Sequence, residues 1–224
     1  MSKKDKIPRL HIDRIAEALL EVQRQFPLIN RRLKMHREHL SDEIIQNMLS
    51  AYKHLDDLVA EQVKIFSDDG LSEILELNHI VLCGRDAKIR MEYTHHLIET
   101  SKRFYDLIQP VKRYYRKHKD SSPTKVASEV YVGILSRPQL FIEGNHRTGA
   151  LLASYVLLMG GCSPFVLNVD NAVSYFDPSG QIKFSDKRSF KGKFKLPKYE
   201  KEFKLFLENN ISDRFVLNPQ SLKG

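Results

Sequence analysis

The sequence predicts a mainly α-helical fold, on three observations. Apolar residues recur at helical spacing in long windows, beginning with Leu10, Ile15, Leu19, Leu20 and Val22. Helix starts and stops punctuate the chain at Ser41, at Gly84, at Ser122 with Pro123, and at Gly160 with Gly161. Strand-like patterning is confined to a few short stretches such as "FVLNV" at 165–169. With 224 residues, 42% of them hydrophobic, the chain is long enough to bury a sizeable core. Residues 1–40 are expected as an N-terminal helical extension and 41–224 as the main domain.

The first helix covers about 10–26, and Pro27, which has no N–H to donate, is expected to stop it. Ser41 opens a second helix, with Asp42 and Glu43 suiting its positive end. That helix is expected to run to about Phe66, before "DDG". A third covers about 72–82, closed by Gly84. Residues 88–119 read as helical with a break near Pro110. Inside them, Tyr93, Thr94 and Thr100 favour strand, whereas Glu92, Leu97 and Glu99 favour helix. Ser122 is a good N-cap and Pro123 a good first-turn residue for a helix to about Leu135, which "RPQ" breaks. The next helix runs from about Asn145 to the two glycines. "DNAVSYF" reads as a short helix and "DPSG" as a turn. Phe190 and Phe194 fit a short amphipathic strand, and "LPKYEKEFKLFLENN" a last helix with Pro197 near its first turn.

A formal charge of +8 favours acidic partners: nucleotides, nucleic acid or an acidic protein face. Acids dominate 41–79 and bases dominate 183–204. The basic stretch reads as a solvated surface: a nucleic-acid patch would usually interleave more aromatics than Phe190 and Phe194, and there is no convincing helix-turn-helix, so nucleic acid is not the expected partner. Cys83 and Cys162 form neither a disulfide framework nor a CxxC zinc motif, and a reducing, cytoplasmic setting is expected. The longest apolar run, 150–159, is shorter than the roughly 20 residues that span a bilayer. No membrane partner is therefore expected. His36 and His39 have a spacing a metal can use but no third ligand nearby; the adjacent His95 and His96 diverge on a helix.

One stretch concentrates polar chemistry: "FIEGNHRTG" at 141–149, just before the apolar "ALLASYVLLMGG". It reads as a loop feeding the N-terminus of a buried helix, whose first N–H groups are unpaired and carry partial positive charge. Such a terminus binds anions. Gly144 allows close approach of a phosphate, and Asn145 can cap the helix. Arg147 sits where the dipole disfavours a cation, which a bound anion would explain. Glu143 suits Mg²⁺, which takes one or two carboxylates plus phosphate oxygens. The plain alternative is a polar turn, capped by Asn145, with Glu143 and Arg147 paired across one helical turn.

The longer stretch "SEVYVGILSRPQLFIEGNHRTGALLASYVLLMGGCSPFVL" resembles the core of the Fic (Fido) family, whose motif reads H-P-F-x-(D/E)-G-N-G-R-x-x-R. Phe141, Glu143, Gly144, Asn145 and Arg147 match it, and the resemblance covers about 123–168. It implies a helical domain binding ATP or another nucleotide with Mg²⁺ on Glu143. It also implies phosphate contacts at 144–147, a β-hairpin flap near 92–105, and transfer of AMP to a target protein. The departures are specific. Gln139 stands at the catalytic His position, Leu140 at the Pro, His146 at the second Gly and Ala150 at the last Arg. Gln cannot abstract a proton near neutral pH. Two readings follow: a degenerate Fic-like module that binds a nucleotide, phosphate or partner protein without transfer, or an atypical nucleotidyltransferase or Doc-like phosphotransferase using His146 or an upstream histidine of the expected flap, His95 or His96.

Overall fold

The computed structural model describes residues 7–222, and the fold is mainly α-helical. The first six residues of the expected N-terminal extension lie outside the described residues. In order, the helices are α1 (Ile12–Arg32), α2 (Asp42–Ala60), α3 (Leu71–Cys83), α4 (Ala87–Glu92), α5 (Thr94–Leu107), α6 (Gln109–His118), α7 (Pro123–Leu135), α8 (Asn145–Met159), α9 (Ala172–Lys183) and α10 (Phe190–Asn210). Strand pairing among the described residues is limited to isolated bridges: Leu10 with Val216, Arg137 with Asp186, and Phe165 with Ile211. No helix there is long and apolar enough to cross a membrane.

Helix α8 is the axis of the fold. Every residue from 148 to 158 is buried, as suits a helix apolar on all sides. It packs against α7, α2 and α3. Side chains such as Leu151, Leu152 and Leu157 are fully buried there, each worth about 1.5–3 kcal/mol relative to exposure. Gly149 sets the approach of α7, because a Cβ on it would lie 3.1 Å from the Tyr131 ring. Ser154, deep in the same helix, is satisfied by donating to the Phe165 carbonyl at 2.7 Å.

Several local expectations give way to packing. Pro27 does not end α1, which continues to Arg32. An interior proline costs roughly 3 kcal/mol, but Ile29 and Leu33 beyond it are buried with Val22, Phe26 and Ala172. Two such side chains recover about that amount, and Pro27 itself lies on the exposed face. "DPSG" is not a turn: α9 runs through Pro178 and buries Ser179, Gly180 and Ile182. Residues 92–105 form no β-hairpin but the end of α4 and most of α5, because Thr100 and Phe104, four apart, are buried on one helical face. "FVLNV" pairs only through the single bridge at Phe165. Asn171 holds it instead, donating to the Val166 carbonyl at 2.9 Å. Phe190 and Phe194 belong to α10, which Ser189 caps by accepting from the Gly192 N–H. Pro197 therefore lies well inside that helix rather than in its first turn. Helix α2 stops at Ala60, short of Phe66, whose buried ring stacks on Tyr115 at 4.2 Å. Ser122 makes no side-chain cap for α7; its hydroxyl meets that of Thr124 at 2.9 Å.

Leu152→Ala is expected to destabilise the protein by about 2–5 kcal/mol, seen as a lower urea midpoint at unchanged slope. Leu205→Ala, on the exposed face of α10, should stay within about 0.5 kcal/mol of wild type.

Candidate functional site

The loop between α7 and α8 is held from several directions. Gln139 donates its side-chain amide to the Leu135 carbonyl at 3.1 Å, and its own backbone carbonyl accepts from Arg103 at 2.9 Å. Phe141 is buried and stacks on Phe104 at 5.8 Å. Asn145 closes the loop with two bonds of 2.9 Å, accepting from the Phe141 N–H and donating to the Phe141 carbonyl. Its side chain is therefore not the helix cap. The cap position is Gly144, in the left-handed region at φ 75°. A side chain there would be strained by that backbone and would meet the Asn78 amide nitrogen at 2.8 Å. Close backbone approach at Gly144 thus serves Asn78, which donates to the Glu143 carbonyl and the Thr148 hydroxyl, both at 3.0 Å.

This geometry leaves the N–H groups of Asn145, His146 and Arg147 without a protein acceptor among the described residues; the first amide to bond back is that of Thr148, to Gly144 at 2.9 Å. These residues border an open pocket of about 370 Å³ that gathers Gln139, Glu143, Gly144, Asn145, His146 and Arg147. Three further residues line it: Ile142, Glu38 from the α1–α2 connection and Lys183 from the end of α9. Sequence patterning carried no signal for Glu38 or Lys183, which are brought in from distant segments.

Ala150 is not in this pocket. It faces a separate, mostly apolar cavity of about 70 Å³ lined by Leu19, Ile44 and Phe176, with His146 and Arg147 at its wall. An arginine at that position would enter this mostly apolar cavity and not the pocket at the start of α8.

Two of the motif side chains turn inward. Arg147 donates to the Val81 carbonyl at 2.9 Å, in the last turn of α3, where the helix dipole favours a cation. Burial pulls its guanidinium below the ordinary value, and Glu143 and Glu38 act in the opposite sense. Its place in the first turn of α8 is thus explained within the protein. Glu143 and Arg147 form no ion pair within 4.0 Å. His146 sits between Arg37 and two tyrosines. Arg37 Nη1 lies 3.4 Å from His146 Nε2, and guanidinium can only donate, so Nε2 accepts and the proton belongs on Nδ1. Nδ1 faces the Tyr131 hydroxyl at 3.4 Å. Tyr131 donates to Tyr175 at 3.1 Å, and Tyr175 donates to the His146 carbonyl at 3.1 Å. Burial keeps both phenols protonated, with Tyr175 raised to about 12. Burial, and next the charge of Arg37, lower the His146 imidazole to about 3, so it is neutral at pH 7.

Among the described residues no three His, Cys, Asp or Glu side chains converge as a metal-binding group. His39, one of the paired histidines in the α1–α2 connection, packs edge-on against Phe26 at 6.0 Å. Compared with known proteins, the chain matches no protein-family model, no curated protein and no solved structure.

A histidine whose folded value lies below its unfolded value of about 6.5 binds its proton more readily in the unfolded chain. Stability should therefore fall as pH drops from about 6.5 toward 3, by at most about 1.4 kcal/mol per pH unit from this one group. His146→Gln should remove that part of the slope, measured by urea unfolding at stepped pH.

Proposed function

We propose that this chain is a degenerate Fic-like protein that holds a phosphate-bearing ligand, a nucleotide with Mg²⁺, at the N-terminus of α8 without transferring AMP. The observation that carries the reading is the run of three N–H groups without a protein acceptor, at residues 145–147, in residues that line a polar pocket with Lys183 and Glu143. Unpaired amides at a helix start favour an anion, and Lys183 adds a full positive charge beside them. The pocket's size lies within the roughly 300–1,000 Å³ usual for small-molecule clefts. Glu143, with Glu38 also lining the pocket, supplies the one or two carboxylates that Mg²⁺ takes beside phosphate oxygens. When bound, the metal would neutralise phosphate charge.

The same residues argue against transfer chemistry. Gln139 has no titratable group, and its amide is engaged with Leu135. The His146 ring nitrogen that carries the lone pair faces Arg37, not a hydroxyl to be activated. A missing general base usually costs about 10²–10⁴-fold in rate. Arg147 is turned to Val81, so the phosphate contact falls to the amides and Lys183.

Calorimetric titration with ATP, with and without Mg²⁺, tests the reading. Lys183→Ala should weaken Mg-ATP binding at least about ten-fold, the worth of one charge-assisted bond, with little change in thermal midpoint. Glu143→Gln should reduce the benefit of adding Mg²⁺. Absence of binding heat in the wild type would sink the proposal. Incubation with ATP labelled in its α or γ phosphate should leave the protein unlabelled; α label on the chain would instead mark an atypical nucleotidyltransferase, and γ label a Doc-like phosphotransferase.

A further inference from the structure

The first two turns of α10 expose what a soluble helix normally hides. Leu196 and Phe203 face the core, while Phe190 and Phe194 point the opposite way, 77% and 69% exposed. At 100° per residue these two rings, Pro197 and Lys201 share one outward face. The rings meet edge to face at 4.9 Å. Phe184, also exposed, stands in the turn before the helix.

This aromatic face is set in cations. Residues 183–201 carry eight Lys or Arg against two Asp or Glu, most of the chain's formal +8. Ion pairs do not neutralise it. Among the described residues of this stretch only Lys198 has a carboxylate partner, Glu202 at 3.7 Å, and Lys191, Lys193, Lys195 and Lys201 have none. The face is also held in place. Ser189 accepts from the Gly192 N–H at 2.9 Å and donates to the Asp186 carbonyl at 2.8 Å. A Cβ on Gly192 would collide with that same carbonyl, at 1.8 Å. Lys187 anchors the preceding turn to α7 through the Gly133 carbonyl at 2.6 Å. Neither outward phenylalanine belongs to the buried core, so the folding of α10 does not account for them.

We propose that this face docks on an anionic lipid bilayer. The protein would lie on the surface without crossing it, inserting Phe190 and Phe194 at the headgroup boundary while the surrounding lysines meet acidic headgroups. Charge complementarity selects an anionic partner. Shape selects a bilayer over a single-stranded nucleic acid. The rings protrude and line neither the pocket at the start of α8 nor the cavity beneath it, whereas strand-binding sites are grooves with flat stacking platforms. The tilted ring pair fills a soft interface better than it stacks on bases.

Sedimentation of the full chain with phosphatidylcholine vesicles, with and without phosphatidylserine, tests this. Binding should require phosphatidylserine and weaken as salt is raised. Phe190→Ala with Phe194→Ala should lower affinity about ten-fold or more, and each of Lys191→Gln, Lys193→Gln and Lys195→Gln about five-fold. Thermal midpoints should not move, because all five side chains are exposed. Equal sedimentation without phosphatidylserine, or undiminished binding by the double phenylalanine variant, would overturn the proposal. So would polyuridylate displacing the protein from vesicles in a manner that needs the two phenylalanines, which would make the face a nucleic-acid platform.

Discussion

A helix that is apolar all round can pass through the middle of a protein only if the loop that feeds it is fixed where it enters. In this chain two asparagines brace that loop, while the first-turn N–H groups of residues 145–147 stay without a protein acceptor among the described residues. Asn78, fully buried on α3, reaches the Glu143 carbonyl and the Thr148 hydroxyl. Asn145 folds back on both backbone groups of Phe141. Between them they fix the loop, hold Gly144 in a left-handed conformation and set the direction in which α8 starts. The packing of α7, α2 and α3 around that helix then follows from its depth. Loss of either amide would strand buried polar groups, at about 1–3 kcal/mol apiece.

The same arrangement sorts the polar groups of the motif into two directions. The side chains of Asn145, His146 and Arg147 are engaged with Phe141, with Arg37 and Tyr131, and with Val81. Their N–H groups find no protein acceptor among the described residues, and all three residues line the pocket. Lys183 and two carboxylates, Glu38 and Glu143, line the same pocket. The neutral imidazole fits that division. Its lone pair is directed at a cation, and its proton joins a tyrosine circuit that returns to its own carbonyl.

The prolines show how weak local rules become beside burial. Pro27, Pro178 and Pro197 all lie inside helices. Each forfeits a backbone hydrogen bond, yet each is followed by residues that reach the core. Ile29 and Leu33 are buried past Pro27, Ile182 past Pro178, and Phe203, Phe206 and Leu207 past Pro197. Ending the helix at the proline would pull those side chains away from their neighbours, which costs as much as the proline does or more.

The sequence by itself determined the helical class, the central helix and the loop that starts it, because these are written in short-range patterns: apolar periodicity, a serine cap at Ser41, glycines after Met159. It also placed Gln139, Glu143, Gly144, Asn145, His146 and Arg147 around one pocket, since neighbours in a tight loop cannot separate far. Tertiary structure alone decided which way those side chains turn. Arg147 faces Val81, Ala150 faces Leu19 and His146 faces Arg37 because α3, α1 and the α1–α2 connection arrive from distant parts of the chain. Lys183 and Glu38 reach the pocket for the same reason. Spacing along a helix gives the angle at which a side chain leaves it; only the packed neighbours settle whether it meets solvent, a carbonyl or hydrocarbon.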